Sequence, residues 1–212
     1  MEINPKEIPV KEAYKILTGS IIPRPIGWIS TVSQDGIYNL APYSFANGVS
    51  ADPPTVMFSG GRPNGNNKDT IQNVLDTKEF VFNIVTLPYA SQMNESATTL
   101  PPEVDEFEVS GLTPAPSQVV KAPRVLESPI NFECVLSGTY EIEGETGGGS
   151  MIIFGRIVHM HVADEVMLPN YKIDPLALNP IGRLSGPSYA KVNDLFHIER
   201  RNFSSDIDPK KK

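Results

Sequence analysis

Ile26-Gly27-Trp28-Ile29-Ser30-Thr31-Val32, then Asp35-Gly36, then Ile37-Tyr38 is the stretch that sets the fold class. β-Branched and aromatic side chains dominate the first run and fit a pleated, half-buried surface. Asp-Gly is a tight-turn signal, because such turns need positive φ, so the chain doubles back and a return strand starts at Ile37-Tyr38. Downstream, Pro53-Pro54 cannot continue a helix, and Thr55-Val56-Met57-Phe58 after them reads as a buried strand. Phe80-Val81-Phe82-Asn83-Ile84-Val85 is a further apolar strand. Phe132, Cys134 and Leu136 share one face while Glu133 and Ser137 take the other, the period of a half-exposed strand. Gly147-Gly148-Gly149 separates that strand from Met151-Ile152-Ile153-Phe154-Gly155-Arg156-Ile157-Val158, which together predict a hairpin with a flexible loop. Helices are fewer. Residues 68–76 place Ile71, Val74 and Leu75 on one stripe, and Pro88 suits the first turn of a second helix carrying Met93 and Ala97. The pattern predicts a mainly β chain, a β-barrel decorated by two or three short helices.

The whole of 1–212 reads as one domain, with 40% hydrophobic and 20% charged residues, both near globular averages. Pro 20 and Gly 16 are spread along the chain as turns between short strands, so they mark no linker. A solvated C-terminal tail is expected from about residue 204, ending in Lys210, Lys211 and Lys212. Lys+Arg 18 against Asp+Glu 25 gives a net charge of −7, which argues against general attraction to nucleic acid or to an anionic membrane. A single cysteine, Cys134, excludes an intrachain disulfide framework. The N-terminal residues lack a signal-peptide pattern and no run approaches about 18 apolar residues, so a cytoplasmic location is expected.

The absent motifs narrow the chemistry further. No Gly-x-Ser-x-Gly elbow supports a hydrolase nucleophile, and no G-x-G-x-x-G follows a strand. His159 and His161 sit two apart on a strand, hence on one face, but the sequence names no third metal ligand and no metal is expected. Cys134, mid-strand on an apolar face, reads as a packed thiol. One segment has ligand-binding character: Ser59-Gly60-Gly61-Arg62-Pro63-Asn64-Gly65-Asn66-Asn67-Lys68-Asp69-Thr70. It fails as a P-loop because Asn66 stands where a lysine is required. It nevertheless combines flexible backbone, two cations and hydroxyl and amide donors just before a helix, where a phosphate meets free N–H groups and a favourable dipole. The alternative is a surface loop with an ordinary helix start.

Taken together, Arg24-Pro25 through Val32, Asp35-Gly36 through Phe45, Ser50-Ala51-Asp52-Pro53-Pro54 and Lys68-Asp69-Thr70 with Asn73 resemble the flavin reductase-like family. Asp105-Glu106-Phe107, Glu133-Cys134 and Gly182-Arg183-Leu184-Ser185-Gly186-Pro187-Ser188-Tyr189 extend the match from about residue 15 to 195. The resemblance implies an FMN-binding split β-barrel of Greek-key type. It implies that Trp28, Ser30 and Thr31 line the flavin, that Ser44, Phe45 and Asn47 follow its ring and ribityl chain, and that Ser59, Arg62, Lys68 and Thr70 hold its phosphate. The family often has a second aromatic after Ser-Phe where this chain has Ala46, which implies space beside the flavin. Arg183 and Tyr189 are implied either as substrate contacts or as loop and dimer contacts, and homodimers are common in the family.

A flavin carries its own redox chemistry, so the missing catalytic nucleophiles are no obstacle. The expected activity is that of an NAD(P)H-dependent flavin oxidoreductase, with hydride passing from nicotinamide to flavin N5 and onward to free flavin, oxygen or another acceptor. The alternative is a non-catalytic FMN-binding electron carrier or flavin store, which needs the same phosphate pocket.

Overall fold

The computed structural model describes residues 1–145 and 148–199. Thirteen strands appear among the described residues: β1 Gly27–Val32, β2 Tyr38–Tyr43, β3 Ala46–Ala51, β4 Pro54–Gly61, β5 Glu79–Ile84, β6 Pro114–Ala115, β7 Arg124–Val125, β8 Ile130–Glu143, β9 Gly149–Val162, β10 Met167–Leu168, β11 Lys172–Ile173, β12 Ile181–Arg183 and β13 Tyr189–Lys191. Five α-helices accompany them: α1 Val10–Ser20, α2 Asp69–Thr77, α3 Ala90–Glu95, α4 Glu106–Ser110 and α5 Pro175–Leu178. The expected strands start within one or two residues of their predicted positions, but β4, β8 and β9 run three to six residues past their expected ends. The expected C-terminal tail and Gly147 of the glycine loop lie outside the described residues.

Seven strands form one sheet in the order β2-β1-β5-β8-β9-β4-β3, and every pairing in it is antiparallel. The two edge strands are β2 and β3, yet only Ser44 and Phe45 separate them in sequence. A flat sheet of seven strands would hold its edges about 29 Å apart. Two intervening residues reach about 10 Å. The sheet must therefore roll up until its edges meet, and the rings of Tyr43 in β2 and Phe58 in β4 lie 4.9 Å apart across that closure.

The roll creates two apolar layers. Ile29, Phe58, Phe80, Phe82, Cys134 and Ile153 pack inside the barrel with Ile71 and Val74 of α2. Trp28, Leu40, Val85 and Ile181 face the other way and are covered by Met93 of α3 and Phe107 of α4. This is why all six residues of β1 are buried: alternate side chains enter the barrel and the helical cover. Asp35-Gly36 makes the expected turn, with Gly36 at φ 87°.

Three polar clamps fix the cover. Asn83 of β5 donates to the Trp28 carbonyl at 2.8 Å and accepts from the Val125 N–H at 3.0 Å. The buried Glu106 carboxylate takes the Leu40 N–H at 3.0 Å and the Asn39 side chain at 2.9 Å. Glu133, fully buried on β8, accepts backbone N–H groups from Gln118, Val119 and Val120 at 2.6–3.0 Å and pairs with His161 Nε2 at 2.6 Å.

Candidate functional site

A cavity of about 620 Å³ lies where α1, the β2–β3 junction, α3 and the β12–β13 hairpin converge. Of the residues singled out from sequence, Ser44, Lys68, Arg183 and Tyr189 line it. A second hollow of about 270 Å³ adjoins Tyr43, Asp69, Thr70 and Glu106, and a third, shallow one lies against Arg62, Asn64, Gly148 and Gly149. Lys68 borders all three.

The local sequence explains that placement. Lys68 is the residue before α2, in extended conformation, and offers no side-chain oxygen to cap the helix. The first N–H groups of α2 consequently lack a capping side chain, the arrangement that accepts an anion. Asn64 and Gly65 carry positive φ, which bends the Gly-rich segment back toward Lys68. Arg62 is held by Asn67 Oδ1 at 3.0 Å and by an ion pair with Glu141 of the β8–β9 hairpin.

Beneath Lys68 runs a buried polar relay. Thr70 donates to Asn39 Oδ1 at 2.6 Å, Asn39 donates to Glu106, and Asn73 donates to Thr31 Oγ1 at 3.1 Å. Burial pushes the Glu106 carboxyl up, while the Leu40 N–H and Asn39 pull it down. Burial pushes the Tyr43 hydroxyl up to about 12. Tyr43 Oη is the one buried side-chain polar atom without a partner among the described residues, and its side chain borders the 270 Å³ hollow.

The other candidates lie elsewhere. Trp28, Ser30 and Thr31 are not on a cavity wall: each is at most 1% exposed. Trp28 Nε1 donates to Ser96 at 2.9 Å, Ser30 to the Pro123 carbonyl, and Thr31 accepts from Asn73. Thr70, expected at the phosphate, is buried and donates its hydroxyl hydrogen to Asn39, and it borders the second hollow beside Lys68. Ala46 opens no space either. It is buried in the barrel core, 3.2 Å from where a Cβ on Gly27 would sit. Phe45 is half-buried against Tyr14, its ring 5.9 Å from the Arg24 guanidinium carbon. Asn47 is exposed, accepting from the Gly48 N–H, and Ser59 lies half-buried in β4.

The cavity also has walls that the sequence reading did not assign: Tyr14 and Thr18 of α1, Arg24, and Met93 and Asn94 of α3. Val10, Tyr14 and Leu17, spaced i, i+4, i+7, are the signal by which α1 is findable. Away from the cavity, Glu133 is the third group beside His159 and His161, the ligand atoms lying within 4.8 Å of one another. The Glu133 oxygens are already taken by three backbone N–H groups and His161, so the cluster reads as a hydrogen-bonded clamp. Cys134 is fully buried and burial pushes its thiol up, the inert packed cysteine expected.

Residues 18–178 match the flavin reductase like domain. The chain belongs to the flavin reductase-like family. Its fold is the split barrel of that family: a protein with a split barrel domain from Shewanella frigidimarina NCIMB 400 superposes with a TM-score of 0.83 at 20% identity, over 95% of this chain and all of that one. Nitrilotriacetate monooxygenase component B from Bacillus cereus is 40% identical, with a TM-score of 0.90 over 93% of this chain and 98% of that one. The 2-nitrobenzoate 2-nitroreductase NbaA of Pseudomonas fluorescens is 27% identical, with a TM-score of 0.87 over 98% and 100%. Membership in a flavin-handling family gives the cavity its chemical context: Arg24, Lys68 and Arg183 line it together with apolar residues.

Proposed function

We propose that this member of the flavin reductase-like family is an FMN-dependent oxidoreductase that accepts hydride from NAD(P)H and passes electrons to a small-molecule acceptor. The observation that carries the reading is Lys68 at the junction of three hollows, before an uncapped helix. The donor set fits a dianion beside a flat polar ring system. Lys68 and the α2 N-terminus supply positive potential, and Tyr43 Oη an unfilled hydrogen bond. When bound, FMN supplies the hydride-accepting and electron-donating chemistry; the protein's residues bind, orient and shield. Ser44 stands at the cavity wall for the polar edge, Ile26, Pro42 and Met93 give apolar surface, and Arg183 on its Gly/Pro-rich hairpin lines the same cavity. Relatives named for a monooxygenase component and a nitroreductase support an electron-supplying role.

Titration of the chain with FMN and with riboflavin tests the reading. Lys68→Ala removes a charge-assisted hydrogen bond, so FMN affinity falls about 10- to 100-fold while riboflavin, lacking the phosphate, is indifferent. Equal losses for both ligands place the phosphate elsewhere. Anaerobic stopped-flow mixing of the FMN-loaded protein with NADH and with NADPH then separates an oxidoreductase, whose flavin absorbance bleaches, from a carrier that neither nucleotide reduces.

A further inference from the structure

The 620 Å³ cavity holds positive charge that its own walls do not balance. Arg24, Lys68 and Arg183 line it, and among the described residues no aspartate or glutamate does, in a chain with 25 acidic against 18 basic residues. Arg24 is 6% exposed, yet every partner of its guanidinium is neutral. Nε donates to Ser44 Oγ at 3.4 Å, Nη1 to the carbonyls of Thr18 and, at 3.1 Å, Ile21, and Nη2 to the Leu184 carbonyl at 2.9 Å. A guanidinium has five N–H bonds and keeps its proton in a protein, so one Nη2 N–H and most of the charge stay unmet. The carbonyl end of α1 offsets about half a unit. A buried cation is costly unless an anion joins it.

Arg183 repeats the pattern at the rim. Its guanidinium donates to the Tyr189 hydroxyl and, at 2.6 Å, to the Gly186 carbonyl, and its carbon lies 4.5 Å from the centre of the Tyr189 ring. Arg62, outside the cavity, by contrast has its carboxylate in Glu141. Ile26, Pro42, Met93 and Leu184 add apolar surface to the same cavity.

We infer that the cavity's second occupant, beside the flavin of the proposed function on which this inference rests, is a flat organic anion of the aromatic carboxylate class. Arg24 and Arg183 meet its charge and the apolar walls take its ring. The diphosphate of a nicotinamide cofactor carries the same charge chemistry, and the experiment has an arm for each.

FMN-loaded protein is titrated with benzoate, benzamide and ADP, following the visible flavin band. Benzoate is expected to bind at least about ten-fold more tightly than benzamide, its neutral isostere, with the preference shrinking as salt rises and vanishing in Arg183→Gln, which leaves the α1 clamp intact. Arg24→Lys keeps the charge but not the fork, and is expected to weaken benzoate several-fold. Equal affinity for benzoate and benzamide, or a preference intact in both variants, overturns the inference. ADP that binds more tightly than benzoate and displaces it also overturns it, assigning the cations to a nucleotide diphosphate. A chain that binds no FMN sinks the flavin reading instead, and calorimetric titration of the flavin-free protein with benzoate and benzamide then decides the anion on its own.

Discussion

Glu133 illustrates how much a single buried carboxylate contributes here. Burial works to raise it, but the Gln118 N–H, His161, and the Val119 and Val120 N–H groups outweigh that and hold it at about 2. A carboxyl lowered in the folded state stabilises the fold above its unfolded value of about 4.3, and this stability drains away as pH falls from there toward about 2. Urea unfolding across pH 5 to 2 therefore shows a steep acid limb, and Glu133→Gln flattens it. The same variant lowers stability near pH 7 by about 2–4 kcal/mol, because its amide N–H₂ faces backbone donors. A parent-like acid limb in the variant would show that another carboxylate governs acid unfolding. Ala46 teaches the opposite lesson. From sequence its small side chain reads as open space beside a ligand; in the fold it is a filled position inside the barrel. Ala46→Phe is accordingly expected to lower the thermal midpoint by overpacking, at about 1–3 kcal/mol, before it alters any binding step. Binary pattern reports that a residue is apolar and on a strand. It does not report which face meets a ligand when, as in β1, both faces are buried.

At the scale of elements, strands were legible because their apolar runs end at Pro, Gly and Asp-Gly, which act locally. Strand order was not, since β5 pairing with both β1 and β8 is decided by long-range packing. The close fit of β1 against β5 makes a testable point. A Cβ on Gly27 would lie 2.6 and 2.8 Å from the Phe82 ring, so Gly27→Ala forces that ring to shift and costs about 1–3 kcal/mol in chemical denaturation. Helix α2 ends in the opposite kind of mismatch. Lys78, its C-cap, sits at φ 65° and ψ 19°, a conformation glycine adopts freely. Lys78→Gly is expected to raise stability by about 0.5–1 kcal/mol; a loss would mean that the lysine side chain makes a contact worth more than the strain. The helix α1 escaped because its apolar residues do not face a core: Val10, Tyr14, Ile16 and Leu17 are exposed.

That exposed stripe matters for the whole molecule. Together with Ile21 and Ile22 just after it, α1 presents contiguous apolar surface, which an isolated chain does not usually keep. We propose that a second copy covers it, giving the homodimer expected from the family resemblance. Light scattering at micromolar concentration should then return twice the mass of the 212-residue chain, and Leu17→Glu should shift it toward monomer; a parent protein that is monomeric with flavin bound removes the proposal. No helix among the described residues is long and apolar enough to cross a membrane. Barrel closure was implicit in the chain, through two residues joining opposite sheet edges, but only once the strand order was known. The cations Arg62 and Lys68 were legible as part of a Gly-rich motif. The cavity itself was not, because it is assembled from segments as far apart as Tyr14 and Tyr189.

The single tryptophan turns this architecture into its own optical gauge. Trp28 is 1% exposed, hydrogen-bonded to Ser96, and packed in one cluster with Ile26 and Met93, two residues of the cavity wall. Its indole therefore emits from a dry, fixed position directly behind the proposed flavin site. Flavins absorb where a buried indole fluoresces, so a ring entering the cavity drains that emission by resonance transfer. Occupancy of the site becomes readable in the unlabelled chain as the dimming of one lamp, with no second tryptophan to blur the signal.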